Sequence, residues 1–216
     1  MPDVRATWST SRISATVYDF GVEREWLARP AGALVWGTDT RLLFESIRAI
    51  GDLPAGAALL DVPCGGGLAL RGVRPDQDLR YVAADISSFM LDRTRRQAAR
   101  LGRTVELTEA DVERLPFADE EFDLCVSFNG LHCLPDPALA VREIARCLKP
   151  GGRFVGDTIV LRAGLRQDLA ISAFRRMGLF GPGGTAVALE HWLTDAGLRV
   201  DRLERSGAVA HFAATR

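Results

Sequence analysis

Leu59 to Gly67 reads LLDVPCGGG: apolar residues around one aspartate, then proline, cysteine and three consecutive glycines. A buried strand that ends in such a cluster and leads into a helical segment lets a ligand approach the backbone, because glycine has no Cβ to hold it off. Turns of this kind also serve nicotinamide and flavin cofactors, so spacing has to separate the ligands. A dinucleotide fingerprint starting at Gly65 keeps Gly67, but its third small residue falls on Leu70. The NAD reading therefore lacks its third glycine.

Outward from this turn, short apolar runs alternate with longer amphipathic stretches, the pattern of strands and helices wound into a parallel sheet. Five strands are predicted: ALLDV (58–62), RYVAAD (80–85), VELTEA (105–110), FDLCVSF (122–128) and RFVGDTIVL (153–161). Several are apolar almost throughout, as strands covered on both faces should be. Ser87 or Ser88 can cap a helix that runs to Leu101 with Leu91, Thr94, Ala98 and Leu101 on one side, and Gly102 stops it. Asp136 and Pro137 read as N-cap and first residue of a second helix, which Pro150-Gly151-Gly152 ends. Beyond Leu161 the alternation fails. GLFGPGG precedes a helix near Val187 to Ala196, and LRVDRLERS and AVAHFAAT, joined at Gly207, require an antiparallel hairpin.

Residues 1–56 lack strand patterning and carry two predicted helices, about Val22 to Arg29 and Thr40 to Ile50. They suit a lid packed over the sheet, and equally a plain structural extension. The expected organisation is a single domain over 1–216: a helical lid at 1–56, a cofactor-binding core at 57–160, and a substrate-side insertion with the hairpin at 161–216.

Composition narrows the function classes. The 216 residues are 47% hydrophobic and 25% charged, enough apolar mass for one α/β core. Basic and acidic residues number 27 and 28, a net charge of −1, so no global field favours nucleic acid or an anionic membrane. Arg93, Arg95, Arg96 and Arg100 have the spacing of one solvated helix face. No long apolar run is present, which predicts a cytoplasmic protein without stable membrane insertion. Four cysteines without C-x-x-C pairing and three scattered histidines predict free thiols and no metal.

Taken in order, LLDVPCGGG, YVAADIS, ADVERLPFADEEFDLCVSFNGLHCL and LKPGG resemble the successive motifs of class I S-adenosylmethionine-dependent methyltransferases. The nearest type is the ubiquinone/menaquinone-biosynthesis and related small-molecule enzymes. The resemblance covers residues 57 to 160. It implies a Rossmann-like, seven-stranded, mostly parallel sheet of order 3-2-1-4-5-7-6 flanked by helices, with a C-terminal antiparallel hairpin. It also implies S-adenosylmethionine as cofactor and a small-molecule methyl acceptor, and leaves a homodimer open.

Carried over by position, the resemblance implies that Asp61 and the turn through Pro63, Gly65 and Gly67 hold the methionine end. Asp85 would hold the ribose, Asp111 the adenine amino group, and Asn129 would border the sulfonium. Each assignment has its own physics. A carboxylate at a buried strand end suits an ammonium, reached directly or through water, though Asp61 could instead cap the turn amides. A carboxylate after the second strand, as at Asp85, can accept from both ribose hydroxyls. Asp111 and the Val112 N–H match the hydrogen-bonding edge of adenine, while an aspartate there also forms turns. Ile86 and Met90 would wall the adenine, and Met90 fits helix core equally. Pro63 stands where the family has glycine. It loses an N–H but keeps the carbonyl, which is what the first glycine of such loops is chiefly used for.

An oxygen or nitrogen nucleophile that must lose a proton would gain from a general base, and His132, just past the fourth strand, is the candidate. Its alternative role is packing beneath the lid. Tyr18, Asp19 and Trp36 could close over the substrate, and Phe174, Met177, Leu179, Phe180 and Trp192 suggest an apolar pocket or ordinary core. Two other readings stand beside methyl transfer: a catalytically silent S-adenosylmethionine-binding module and an NAD-dependent oxidoreductase.

Overall fold

The computed structural model describes residues 7–8 and 32–216. A seven-stranded sheet runs β1 (Ala57–Asp61), β2 (Leu79–Asp85), β3 (Glu106–Glu109), β4 (Phe122–Phe128), β5 (Leu148–Ile159), β6 (Arg199–Ser206) and β7 (Val209–Thr215) along the chain. Their order across the sheet is β3-β2-β1-β4-β5-β7-β6. The first five strands are mutually parallel, and β7 runs antiparallel to both β5 and β6. This is the Rossmann-like doubly wound sheet with a terminal hairpin, as the motifs imply.

The reason lies in how β1 alternates. Leu60 packs with Val82, Ala84, Cys125, Phe154 and Phe212 on one face, whereas Leu59 packs with Tyr81, Ala83, Leu124, Val126 and Val155 on the other. All five β1 residues are buried. Phe154 and Phe212 meet edge to face at 4.8 Å, and fully burying such a side chain contributes about 1.5–3 kcal/mol.

Five helices cover these faces: α1 (Arg41–Arg48), α2 (Ser88–Leu101), α3 (Pro137–Cys147), α4 (Leu165–Arg176) and α5 (Ala186–Asp195). α2 buries Met90, Leu91, Thr94 and Ala98 and ends at left-handed Gly102. Asp136 caps α3 by accepting from the Leu139 N–H at 2.9 Å, and Thr185 does the same for the Ala188 N–H of α5 at 3.2 Å. Ser87 occupies the α2 N-cap position without a side-chain capping bond.

Three local expectations are corrected. The helical segment after the glycine turn is a single 3₁₀ stretch, Leu68–Gly72. Pro75 follows closely and lacks an N–H, and α1 occupies the adjacent space: a Cβ on Gly72 would stand 1.9 Å from the Ile47 carbonyl oxygen. β5 begins at Leu148, five residues earlier than expected, so the LKPGG segment belongs to the strand. α4 was not expected. Of its residues only Ile171 is buried, and Leu165 and Leu169 are exposed, so no apolar stripe marks it.

Of the segment before β1, α1 sets Leu43, Phe44 and Ile47 against Leu68 and Phe128. The chain just before it docks on the hairpin turn: the Ala208 N–H donates to the Trp36 carbonyl at 2.8 Å, and the Asp39 N–H to Ser206 Oγ at 2.8 Å. The predicted helix at 22–29, Tyr18 and Asp19 lie outside the described residues. Among the described residues no helix is long and apolar enough to cross a membrane. All four cysteines are buried free thiols.

Candidate active site

At the carboxyl ends of β1, β2 and β4, where open α/β sheets place their ligands, lies a cavity of about 980 Å³ counted out to its open mouth. Its described walls are the glycine turn, the end of β2, the start of α2, the loop after β3 and the segment joining β4 to α3.

The glycine turn is drawn around Asp85. Its Oδ2 accepts from the Gly65 N–H at 3.0 Å and its Oδ1 from the Ser87 N–H at 2.9 Å. The carboxylate keeps lone-pair capacity for a ligand hydroxyl. Burial pushes this carboxyl up to about 6, against the three backbone N–H bonds it accepts. Thr94 of α2 donates to the Gly65 carbonyl at 2.8 Å and closes the turn from below. Gly67 is left-handed at φ 83°, a conformation that disfavours any side chain. Leu70, which breaks the dinucleotide pattern, is buried in the core below the turn.

Pro63 fits where the family has glycine because its ring lies on Gly130: a Cβ there would come within 2.6 Å of Pro63 Cδ. The Val62–Pro63 peptide is cis.

Asp85, Pro63, Gly65, Ile86, Met90, Asp111, Val112 and Asn129 all line the cavity. Asp111 Oδ1 accepts from the Glu113 N–H at 3.0 Å, which holds the loop after β3 in a turn. Glu113 in turn accepts from the Asp136 N–H at 2.7 Å and ties that loop to the head of α3.

Asp61 and Gly67 do not line the cavity among the described residues. Asp61 sits behind the turn, 2% exposed, where Tyr81 donates to its Oδ2 at 2.7 Å. Burial drives its carboxyl up to about 7; the Tyr81 bond opposes this and the Asp85 charge adds to it. Tyr81 went unremarked in the sequence because it reads as one more apolar strand position.

His132 is also placed otherwise than a general base requires. It is 2% exposed and outside the described cavity wall. Its Nδ1 accepts from the Ile159 N–H at 3.2 Å, which leaves the proton of a neutral ring on Nε2. Burial lowers its pKa to about 3. Together with the Gly181 N–H bond to its carbonyl at 3.0 Å, the ring serves as a strut that pins the segment from Asn129 to Pro135. The same segment brings Cys133, Leu134 and Pro135 to the cavity.

Trp8 lines the cavity and donates from its indole to the Leu179 carbonyl at 3.0 Å; nothing in its sequence neighbourhood marks it. The five apolar residues suggested for an acceptor pocket lie elsewhere. Phe174, Leu179 and Phe180 form a satellite core with Trp36, Met177 is exposed, and Trp192 packs on the main core.

A methyltransferase-domain family model matches residues 60–156. The chain is 33% identical over 185 residues to the 27-O-demethylrifamycin SV methyltransferase of Amycolatopsis mediterranei, covering 78% of this chain and 66% of the relative. It is 36% identical over 119 residues to the demethylmenaquinone methyltransferase of Clavibacter sepedonicus, covering 55% and 47%. Among solved structures, an S-adenosylmethionine-dependent methyltransferase from Aquifex aeolicus superposes with a TM-score of 0.65 at 19% identity, over 95% of this chain and 99% of that one. The chain spans 44% to 66% of the length of the first curated relatives it matches.

Proposed function

We propose that this chain is a class I S-adenosylmethionine-dependent methyltransferase that transfers a methyl group to a small, largely apolar acceptor. One observation carries the reading: the buried Asp85 carboxylate faces the cavity between the Gly65 and Ser87 amides with lone pairs to spare. A dihydroxylated ribose satisfies such a carboxylate, which would otherwise be costly to bury.

The other walls fit the same ligand. Ile86 and Met90 would face the adenine, Asp111 would accept from its exocyclic amine, and the Val112 N–H would donate to a ring nitrogen. The backbone of Gly65 and Gly66 would receive the methionine end. Asp61, held by Tyr81, would act on the ammonium from behind the turn. When bound, S-adenosylmethionine supplies an electrophilic methyl group. The chain's part is to orient the acceptor in line with that methyl and keep water away, and well-oriented groups reach effective molarities of about 10⁵–10⁸ M. Trp8, Cys133, Leu134 and Pro135 form the apolar wall against which an acceptor would lie. His132 is assigned a supporting role, and transfer by orientation alone is the mechanism favoured for acceptors whose nucleophile is already deprotonated.

Calorimetric titration with S-adenosylhomocysteine, with NADH in parallel, tests this without the acceptor. Binding of the adenosyl ligand that is lost in Asp85→Ala is the expected result. Binding of NADH instead, or of neither, would overturn the reading.

A further inference from the structure

Behind Asn129, on the side away from the cavity, lies a pair of buried titratable groups that the proposed reaction does not use. Asn129 follows β4 in the left-handed region at φ 55°, uncommon for a residue with a side chain. Its N–H donates to Asp157 Oδ1 at 2.7 Å. Asp157 is 1% exposed and stands directly across the sheet from His211, its register partner on β7. The free carboxylate oxygen, Oδ2, is 3.8 Å from His211 Nδ1. His211 is equally buried, and among the described residues neither ring nitrogen has a hydrogen-bond partner.

A doubly unsatisfied imidazole beside a singly bonded carboxyl is an expensive arrangement in a dry core unless the two answer one another. We propose that Asp157 is a positioning residue for the methyl-transfer end of the cavity: its Oδ1 fixes the Asn129 backbone, with the His211 ring against its other oxygen. The proposal rests on the reading of Asn129 as bordering the transferred methyl.

The neighbours define the electrostatics. Arg202 on β6, which donates to Ser46 Oγ of α1 at 3.2 Å, opposes a cationic His211. Glu204 is the register partner of His211 on β6. On β4, the buried Ser127 hydroxyl beside Gly156 has no hydrogen-bond partner and adds no charge. Burial raises the Asp157 carboxyl to about 7, against the Asn129 N–H bond. The Asn129 amide therefore faces a neutral carboxyl below neutrality and a full negative charge above it.

The test follows the Asn129 amide resonance by nitrogen-15 NMR across pH in the ligand-free protein, with S-adenosylhomocysteine affinity as second readout. The amide proton should move downfield with an inflection near neutral pH in the wild type. Asp157→Asn keeps an acceptor oxygen and should abolish the inflection. Asp157→Ala should weaken S-adenosylhomocysteine roughly tenfold by leaving the amide unpaired, and Asp157→Asn should restore most of that loss. A flat wild-type titration overturns the proposal. Wild-type protein that binds no S-adenosylhomocysteine overturns instead the reading on which it rests, whereas wild-type binding left unchanged by Asp157→Ala overturns the positioning role alone.

Discussion

Asp61 and Asp85 stand at one end of the cavity with pKa values raised to about 7 and about 6, chiefly by burial. A ligand ammonium brought near them favours their charged forms. S-adenosylhomocysteine binding near pH 6.5 should therefore release protons, seen as a dependence of the calorimetric enthalpy on the ionisation enthalpy of the buffer. Tyr81→Phe, which removes the hydroxyl that favours the Asp61 carboxylate, should increase the release at pH 7.5 and cost about 1–3 kcal/mol of stability. A buffer-independent enthalpy would mean that Asp61 and Asp85 are ionised before the ligand arrives. The place of Asp85, Asp111 and Asn129 in the cavity wall was legible because their neighbours in the chain are themselves motif residues. Tyr81, Glu113, Trp8 and Asp157 were not, since each acts on a residue distant in sequence, and the occupied Nδ1 of His132 was not, because a motif position says nothing about which ring nitrogen already has a partner.

Elements whose burial follows one period could be read in advance. β4 matched its expected ends, between Glu121 and Asn129, and α3 its expected start, which Asp136-Pro137 fixes; α3 ends at Cys147, ahead of Pro150-Gly151-Gly152, because β5 has already begun. α4 escaped because only Ile171 of its residues is buried. The loop between α4 and α5 is held where a glycine permits near-contact: a Cβ on Gly181 would lie 1.9 Å from the Leu134 carbonyl oxygen. Gly181→Ala should push Leu134 and Pro135 into the cavity and lower both melting temperature and S-adenosylhomocysteine affinity. Gly197→Ala is the contrast. Gly197 is left-handed at φ 81° beyond α5, and a Cβ there meets nothing within 4 Å. That substitution should cost about 1–2 kcal/mol of backbone strain and leave affinity unchanged, as denaturation and calorimetry on the two variants would show.

Across the whole molecule the buried titratable groups pull stability in opposite directions with pH. Asp61, Asp85 and Asp157 have raised pKa values, so the folded chain holds protons that the unfolded chain releases from about 3.8 upward. Their contribution is full below that value and is lost as pH rises through 6 to 7. His132 and His211 are lowered from 6.5 to about 3 and about 4, so their contribution is present above 6.5 and lost as pH falls. Between about pH 5 and 6 the two imidazoles offset only part of what the three carboxyls do, and above about 7 the carboxyls alone still act. Denaturant melts of the ligand-free protein should show stability falling from pH 6.5 to about pH 8, and saturating S-adenosylhomocysteine should flatten that fall. A rise over the same interval would contradict the assignment of these carboxyls. The insertion of β7 between β5 and β6 bears on how the chain is made. β6 pairs with β7 and not with β5, so during synthesis from the N-terminus it has no place in the sheet until Val209–Thr215 has left the ribosome. Until then the outer backbone groups of β5 form an open edge, the kind of surface through which nascent chains associate. The interval of greatest aggregation hazard thus runs from the emergence of Ile159 to the docking of the completed hairpin, and slowing translation between those points should raise the insoluble fraction.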